Sequence, residues 1–429
     1  MKNNLFDNFP TISDKEWKLK VQAELKGLDY NETLVWGTRE DINVKPLYTK
    51  NDIVYDQIQP LPRKAKDWKI ISRFTENPNQ DDSFLYGYIL DSNQVLEHNF
   101  ANYIDLFIKV NPTLEDTIET VQKVAKLPNL KYLDFDPFGY YAQNGMWPNE
   151  TKIKTVEQIK SILGFDGFDK SIAIQADVYQ NAGATHIQQI AVAIAHAVEY
   201  IETFGTEITP KIYFKFAVGS NFFFEISKIR AFRFLWKLIA DKYSVDENVF
   251  VFVENSERNK SKLDIYNNVI RSSIEANSAI LGSADAIYIH SYDSLNQSTD
   301  FGEEIAAKQQ LLLKRESFMD QYTDPVAGSF YIESITNQMA EKALEIFKTI
   351  QNYGGFLKCL ENETIQDLIY NSDKKEKADF ESNELNLIGV NKFRNPNDVI
   401  DNQYKKRIKK DALFVPIVPT RLAEKIENN

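Results

Sequence analysis

Cysteine is nearly absent from this 429-residue chain, where Cys359 stands alone. One thiol makes no internal disulfide and no cysteine-built zinc site. Histidine is almost as scarce. Among the four (His98, His186, His196 and His290), no two fall at i, i+3 or i, i+4, so no helical metal pair and no metal site is expected. Gly-x-Gly-x-x-Gly, Walker A and Gly-x-Ser-x-Gly sequences are all missing. With them go the usual phosphate-cradling loops and the serine elbow. No run of 18 apolar residues occurs, and the start Met-Lys-Asn-Asn-Leu carries no apolar signal core, so no membrane is expected. A reducing cytoplasm is the simplest location. Positive charge is in deficit, and the net charge of −12 argues against nucleic acid, whose phosphates require clustered Lys and Arg.

What the chain does have is a large apolar content, 43% of residues against 26% charged, which suits a packed soluble fold. From Trp68 to about Glu316, strand and helix patterns alternate. Candidate strands are Trp68–Phe74, Phe84–Leu90, Tyr103–Val110, Lys131–Phe135, Ser171–Gln175, Lys211–Ala217, Val249–Glu254 and Ala286–His290. They are short runs rich in β-branched and aromatic residues, as strands covered on both faces should be. The clearest helix is Thr185–Phe204, with Ile187, Ile190, Ile194, Ala197 and Ile201 on one stripe and Gly205 as its stop. Others span Asn221–Tyr243, Asp264–Leu281 and Ile332–Tyr353. The expected fold is α/β, a (β/α)8 TIM-type barrel. Only Thr75–Ser83 separates the first two candidate strands, too little for a parallel crossover, so either that pair is antiparallel or the barrel's front is abbreviated.

Three segments are expected. Residues 1–60 form an amino-terminal arm, 61–395 the barrel, and 396–429 a carboxy-terminal linker tail. In the arm, Trp17, Val21 and Leu25 share a helical face, while Thr33–Trp36 and Val44–Tyr48 read as extended. So few elements bury little alone and need a surface, either their own barrel or another chain. The stretch Lys374–Lys377 reads as a solvated loop, and the basic run Lys405–Lys410 as a solvated surface.

Candidate chemistry is thin. His290 closes the eighth strand, and strand carboxy-termini build the active sites of such barrels. The plainer reading is a rim histidine held by a hydrogen bond. His186 sits in a helix first turn, and His196 lies off the apolar stripe, in solvent. Asp134 and Asp136 project the same way from a strand end and could share a proton.

Gln175-Ala176-Asp177-Val178-Tyr179-Gln180-Asn181-Ala182-Gly183-Ala184 resembles the Ser-Gly-Tyr-His-x-Gln-Glu-Ala-Gly-Ala segment of cobalamin-dependent methylmalonyl-CoA mutases. The likeness continues through Gly219–Glu225, Lys228–Ala231, Asp264–Arg271, Thr299–Phe301, Asp324–Ser334 and Gly389–Lys392. In the arm, Leu34–Thr38 and Val44–Tyr48 are similar to the small subunits of these enzymes. The departures fall on chemistry. The family's histidine becomes Val178, which neither donates nor accepts a proton. The Thr-Ile-Arg-Gln-Tyr-Ala-Gly segment becomes Ile71–Glu76 and loses its phenol. His-x-Gln becomes Phe252-Val253-Glu254, placing a charge that would repel an anionic thioester, and His-Thr-Asn becomes Tyr288-Ile289-His290. No Asp-x-His-x-x-Gly motif is present, and the sequence stops at Asn429, about where the family's linker begins.

The resemblance therefore implies a non-catalytic small subunit of a heterodimeric mutase. Its large-subunit partner would hold adenosylcobalamin, carry the Co–C homolysis, and interconvert methylmalonyl-CoA and succinyl-CoA. No cofactor would be bound by this chain and no catalytic residue is assigned. Gln180, Phe252, Glu254, Tyr288 and His290 are the barrel-mouth candidates, with Trp36 and Leu47 as partner contacts. Two rivals are a CoA-thioester isomerase active in its own right, and a repurposed barrel scaffolding a cobalamin-related partner.

Overall fold

The computed structural model describes residues 12–53, 60–62, 67–75, 83–101, 104–397 and 412–427. Eight parallel strands follow in chain order: β1 Lys69–Arg73, β2 Gly87–Asp91, β3 Asp105–Lys109, β4 Lys131–Asp134, β5 Ile172–Gln175, β6 Ile212–Val218, β7 Val251–Asn255 and β8 Ala286–Tyr288. β1 to β4 pair in succession, β5 to β8 do the same, and β8 pairs with β1. The β4–β5 seam is closed by a parallel bridge between Tyr132 and Lys170 and by the Ala173 N–H donating to Phe135 O at 3.1 Å. The sheet is thus a (β/α)8 barrel. Across the β8–β1 seam, Gln310 of the Asp300–Arg315 helix donates to Ile287 O at 3.1 Å and accepts from the Trp68 indole at 3.2 Å.

The first pair is parallel, with Ile71 opposite Gly87. The sequence reading made both strands too long, because Phe74, Phe84 and Leu85 are apolar yet lie in the approaches. Phe74 packs against Tyr88, His98 and Phe100 instead. The connection then runs from Phe74 to Tyr86, about the dozen residues a parallel crossover needs, and its described residues form no helix. The front of the barrel is the abbreviated one.

Inside, side chains alternate strictly with the strand pleat. Outward residues such as Leu106, Leu133, Ile174, Phe214 and Val253 join the layer beneath the helices. Inward residues form a second, separate cluster: Ile71, Ile89, Phe107, Tyr132, Ala173, Tyr213, Phe252, Ala286 and Tyr288, with Phe250 against it. It is dominated by aromatic rings. Phe107 stacks on Tyr132 at 4.4 Å between centroids, Phe250 lies 5.0 Å from Tyr132, and Phe252 lies 4.9 Å from Phe107. Tyr213 meets Tyr132 edge-on at 6.3 Å. Below them, at the amino-terminal end, Lys69 pairs with Asp105 and reaches the Tyr132 hydroxyl at 3.2 Å. The axis is a packed core and not a channel.

Helices wrap the barrel in two layers. His186–Phe204 is capped by Thr185, stopped by Gly205 at φ +89°, and buried nearly all round. Its alanines at 191, 193, 195 and 197 let the backbone approach the strands and the overlying Phe330–Asn352 helix. That second layer explains His196, whose expected place in solvent the structure corrects. The Phe356 ring stacks on its imidazole at 4.2 Å, and Nδ1 lies 2.8 Å from the Tyr179 hydroxyl. Lys374–Lys377 is likewise no loop but part of the Thr364–Glu381 helix, and Thr33 and Leu34, expected to be extended, end the short helix Tyr30–Leu34 that Asp29 caps. Residues 412–423 lie without helix or strand along the rim, burying Phe414 and Ile417 and donating to Gly145 O and Ala142 O. The basic run 405–410 lies outside the described residues.

Truncating the stacked ring in Phe107→Ala should cost about 3–5 kcal/mol in urea unfolding, as for other buried aromatics. Phe393→Ala, 79% exposed, should stay within about 0.5 kcal/mol.

Candidate functional site: a sealed barrel mouth

Above the aromatic layer, the carboxy-terminal ends of the strands carry charge. β6 reads Ile-Tyr-Phe-Lys-Phe-Ala-Val, so the pleat that buries Tyr213 inward also turns Lys215 inward one step higher. Its ammonium lies 3.1 Å from Asp134 Oδ2, 3.0 Å from Glu254 Oε1 and 3.7 Å from Asp177 Oδ2. Glu254 also meets His290 Nε2 at 3.0 Å, and Tyr288 stands edge-on to the His290 ring at 4.8 Å. Burial alone would lower the Lys215 pKa, but the three carboxylates hold it well above the ordinary lysine value. Burial would raise Glu254, yet Lys215 and His290 more than offset it and keep the carboxyl well below its usual range. Burial would lower His290, and Glu254 raises it on balance. Asp177, which shares Lys215 with the other two, is pushed up to about 7, by burial first and then by its acidic neighbours.

Four of the five mouth candidates come together here. Phe252 and Tyr288 lie in the aromatic layer, and Glu254 and His290 lie above it. Glu254 does not present the repelling charge expected of it, because Lys215 and His290 neutralise it. Gln180 stands apart. On the short Asp177–Asn181 helix, its Oε1 accepts from Ser256 Oγ at 2.8 Å and it lines a side cavity next to Gly219. Val178 packs in the outer apolar layer. Asp134 and Asp136 are joined through Gln175, whose backbone N–H donates to Asp136 Oδ2 at 3.0 Å, and each has further partners of its own. Asp134 accepts from Lys215 and from Gln175 Nε2 at 2.7 Å. Asp136 accepts from Gly139 N and Tyr200 Oη, both at 2.8 Å, with His196 Nε2 at 3.1 Å. The residue that sequence reasoning missed is Lys215, and the signal was there: a lysine in a seven-residue strand otherwise wholly apolar.

Trp36 and Leu47 are 53% and 39% exposed, Trp36 with one edge against Phe224 at 5.8 Å. The rest of the hairpin is tied to its own barrel. Ile42 is fully buried in the main core, and Tyr48 packs on Tyr331 at 5.1 Å.

The residues that carry the sequence likeness meet as structural ties. Buried Arg230 pairs with Asp324 and, at 2.8 Å, with Glu333, joining two distant blocks. Asn268 donates to Ser261 O at 2.8 Å and Tyr292 O at 3.0 Å, holding two mouth loops. Gly183 sits at φ +103°, and a Cβ there would come within 2.7 Å of Asp373, so only glycine fits.

A closed eight-stranded parallel barrel with a second layer of helices makes this a (β/α)8 protein. Within that class, the chain belongs to the methylmalonyl-CoA mutase family, whose model, described as Methylmalonyl-CoA mutase, matches residues 141–412, more than half of its length. It is similar to the methylmalonyl-CoA mutase small subunit of Porphyromonas gingivalis, 27% identical over 93% of this chain and 72% of that protein. It is 33% identical to the methylmalonyl-CoA mutase of Rhizobium meliloti over 53% of this chain and 34% of that one. The large subunit from P. gingivalis is 30% identical over 53% and 33%. The chain thus spans about a third of the length of the latter two.

The family's cobalamin was tested against the residues present. A corrin's lower ligand is an imidazole with a free nitrogen. Both nitrogens of His186 face carboxylates, His196 is held between Tyr179 and Asp136, and His290 Nε2 faces Glu254. His98 Nδ1 bonds Gln94 O within an aromatic cluster. Among the described residues, no group of three or more His, Cys, Asp or Glu could hold a metal, and no helix is long and apolar enough to cross a membrane. None of the four histidines stands in the Asp-x-His-x-x-Gly setting by which the family holds cobalamin, so these histidines do not fit the cofactor.

Lys215→Met should leave two buried carboxylates uncompensated and cost about 3–5 kcal/mol at pH 7. Glu254 is depressed in the fold, so its contribution is present above its ordinary pKa and lost as pH falls through the folded value. The gap between wild type and variant should therefore hold from pH 7 down to Glu254's ordinary value of 4.5 and narrow below it in denaturant titrations.

Proposed function

We propose that this chain is the structural small subunit of a heterodimeric methylmalonyl-CoA mutase. Its large-subunit partner would carry adenosylcobalamin and the isomerisation of methylmalonyl-CoA to succinyl-CoA. The observation that carries the reading is the sealed axis. Where an acyl thioester would have to enter, six aromatic rings fill the barrel and an ion-paired cluster covers them. Val178 at the family's histidine position supports the same reading, as does the likeness to a small subunit over most of the chain. A barrel active in its own right would need an open mouth and a free acid or base, and His290 and Glu254 are committed to each other. In this reading the amino-terminal residues 1–60 are a partner-wrapping arm, residues 61–395 the supporting barrel, and 396–429 a linker tail. Exposed Trp36 and Leu47, with Leu19 and Leu28 beside them in the arm, supply apolar surface for a permanent interface.

Co-expression with a mutase large subunit, followed by light scattering behind size exclusion, should give a one-to-one complex. Two separate peaks would contradict the assignment. Because Ile42 and Glu40 are built into the chain's own barrel, deleting the whole arm is a poor test. Trp36→Asp with Leu47→Asp should weaken association at least ~10-fold, since buried aromatic anchors dominate interfaces. The midpoint for unfolding of the isolated chain should stay unchanged.

A further inference from the structure

The hairpin turn that joins Trp36–Gly37 to Asn43–Val44 carries Arg39, Glu40 and Asp41. Asp41 is exposed, but Glu40 is only 5% exposed. Its carboxylate is held at the start of the 19-residue His186–Phe204 helix. Oε1 accepts from His186 N at 2.8 Å and faces His186 Nδ1 at 2.6 Å, and Oε2 accepts from Ile187 N at 3.1 Å. These are first-turn N–H groups that no helical carbonyl can serve. On its other side, His186 Nε2 lies 3.3 Å from Glu225 Oε1. Glu225 has partners of its own: Gly219 N at 2.7 Å and Lys228 Nζ at 2.5 Å. One imidazolium therefore bridges a carboxylate from the arm to a carboxylate from the barrel.

We propose that Glu40, His186 and Glu225 form a titratable latch that clasps the amino-terminal hairpin to its own barrel and loosens it when His186 loses its proton. The inference concerns the isolated chain and does not rest on the subunit reading. A neutral imidazole has one N–H and can donate to only one of the two carboxylates. Glu225 keeps Lys228 and Gly219 in either state, whereas the charge of His186 is the cation that Glu40 faces, so proton loss leaves Glu40 with the two first-turn N–H groups alone and weakens its hold. The other charges near the latch are already engaged or lie outside it. Arg39 pairs with Glu376 at 2.8 Å, and Arg258 is held by Glu376 and Asp373. Arg271 bonds Asn268 and Ile388 O, and Lys375 is exposed. Arg39, Arg258, Arg271, Lys375 and Glu376 line the cavity of about 480 Å³ that His186 and Glu40 also line, which gives solvent a route to the imidazole.

The direction of the pH effect follows from His186. Burial would lower its pKa, but Glu225 and Glu40 raise it to about 9. A histidine raised in the fold contributes stability that is fully present below its ordinary value and lost as pH climbs through the raised one. The clasp should thus be tight at pH 6.5 and loosened above about 9.

Hydrogen exchange followed by mass spectrometry, corrected for intrinsic rates, reads the hairpin directly. Protection in a peptide spanning residues 36–48 should fall at least ~10-fold between pH 6.5 and 9.5, while the Phe222–Tyr243 helix keeps its protection. In Glu40→Gln, and separately in His186→Gln, the hairpin should already exchange fast at pH 6.5 and show no further pH dependence. Equal protection at both pH values in the wild type would overturn the latch. So would a wild-type profile in both variants, or loss of protection in the Phe222–Tyr243 helix together with the hairpin.

Discussion

A buried ammonium cannot stand alone in a low-dielectric interior, and Lys215 is placed where it must collect counter-charges. It draws in Asp134 from β4, Glu254 from β7 and Asp177 from the helix after β5, and through Glu254 it reaches His290 beyond β8. The strand ends on one side of the mouth are thereby tied to a single cation. Beneath it, the rings of Phe107, Tyr132, Tyr213, Phe250 and Phe252 fill the axis, and at the far end Lys69 and Asp105 close it again. Ion pair, aromatic stack and ion cluster form a continuous column. Each layer keeps water from the next, and without the aromatic layer the charges above it would be hydrated and loose.

The outer architecture works by similar ties between distant segments. Arg230 joins the helix after β6 to the turn at Asp324 and to the start of the helix that follows it. Glu40 clasps the arm to the helix after β5. A barrel assembled this way has an interior filled by its own side chains. Such a chain offers surface, and the exposed apolar residues of the arm are where that surface is least suited to water.

The sequence showed the eight strands because a strand covered on both faces reads as an apolar run whichever way it turns. For the same reason, the filled axis was not legible. Phe107 and Ile108, or Tyr213 and Phe214, look alike on paper, and only the closed barrel decides which ring faces inward. His196 was misjudged because the stripe of one helix says nothing about a second layer laid over it. Lys374–Lys377 looked like a loop because its helix is mostly polar, with its structural work done by Glu376 toward Arg258 and Arg39. Glu254 looked like an exposed charge, and Lys215, the residue that reverses that reading, lies 39 positions away. The family blocks were legible as motifs, but their role as ties appeared only when Arg230 met Asp324 and Glu333.

The central claim is that the barrel interior is occupied by the protein itself. Calorimetric titration of the isolated chain with methylmalonyl-CoA and with succinyl-CoA tests it most directly. The account predicts no saturable heat up to about 1 mM ligand, a free energy weaker than about −4 kcal/mol. Saturable one-to-one binding at micromolar concentration would mean that the column of rings and ion pairs opens to admit a thioester, and would contradict it.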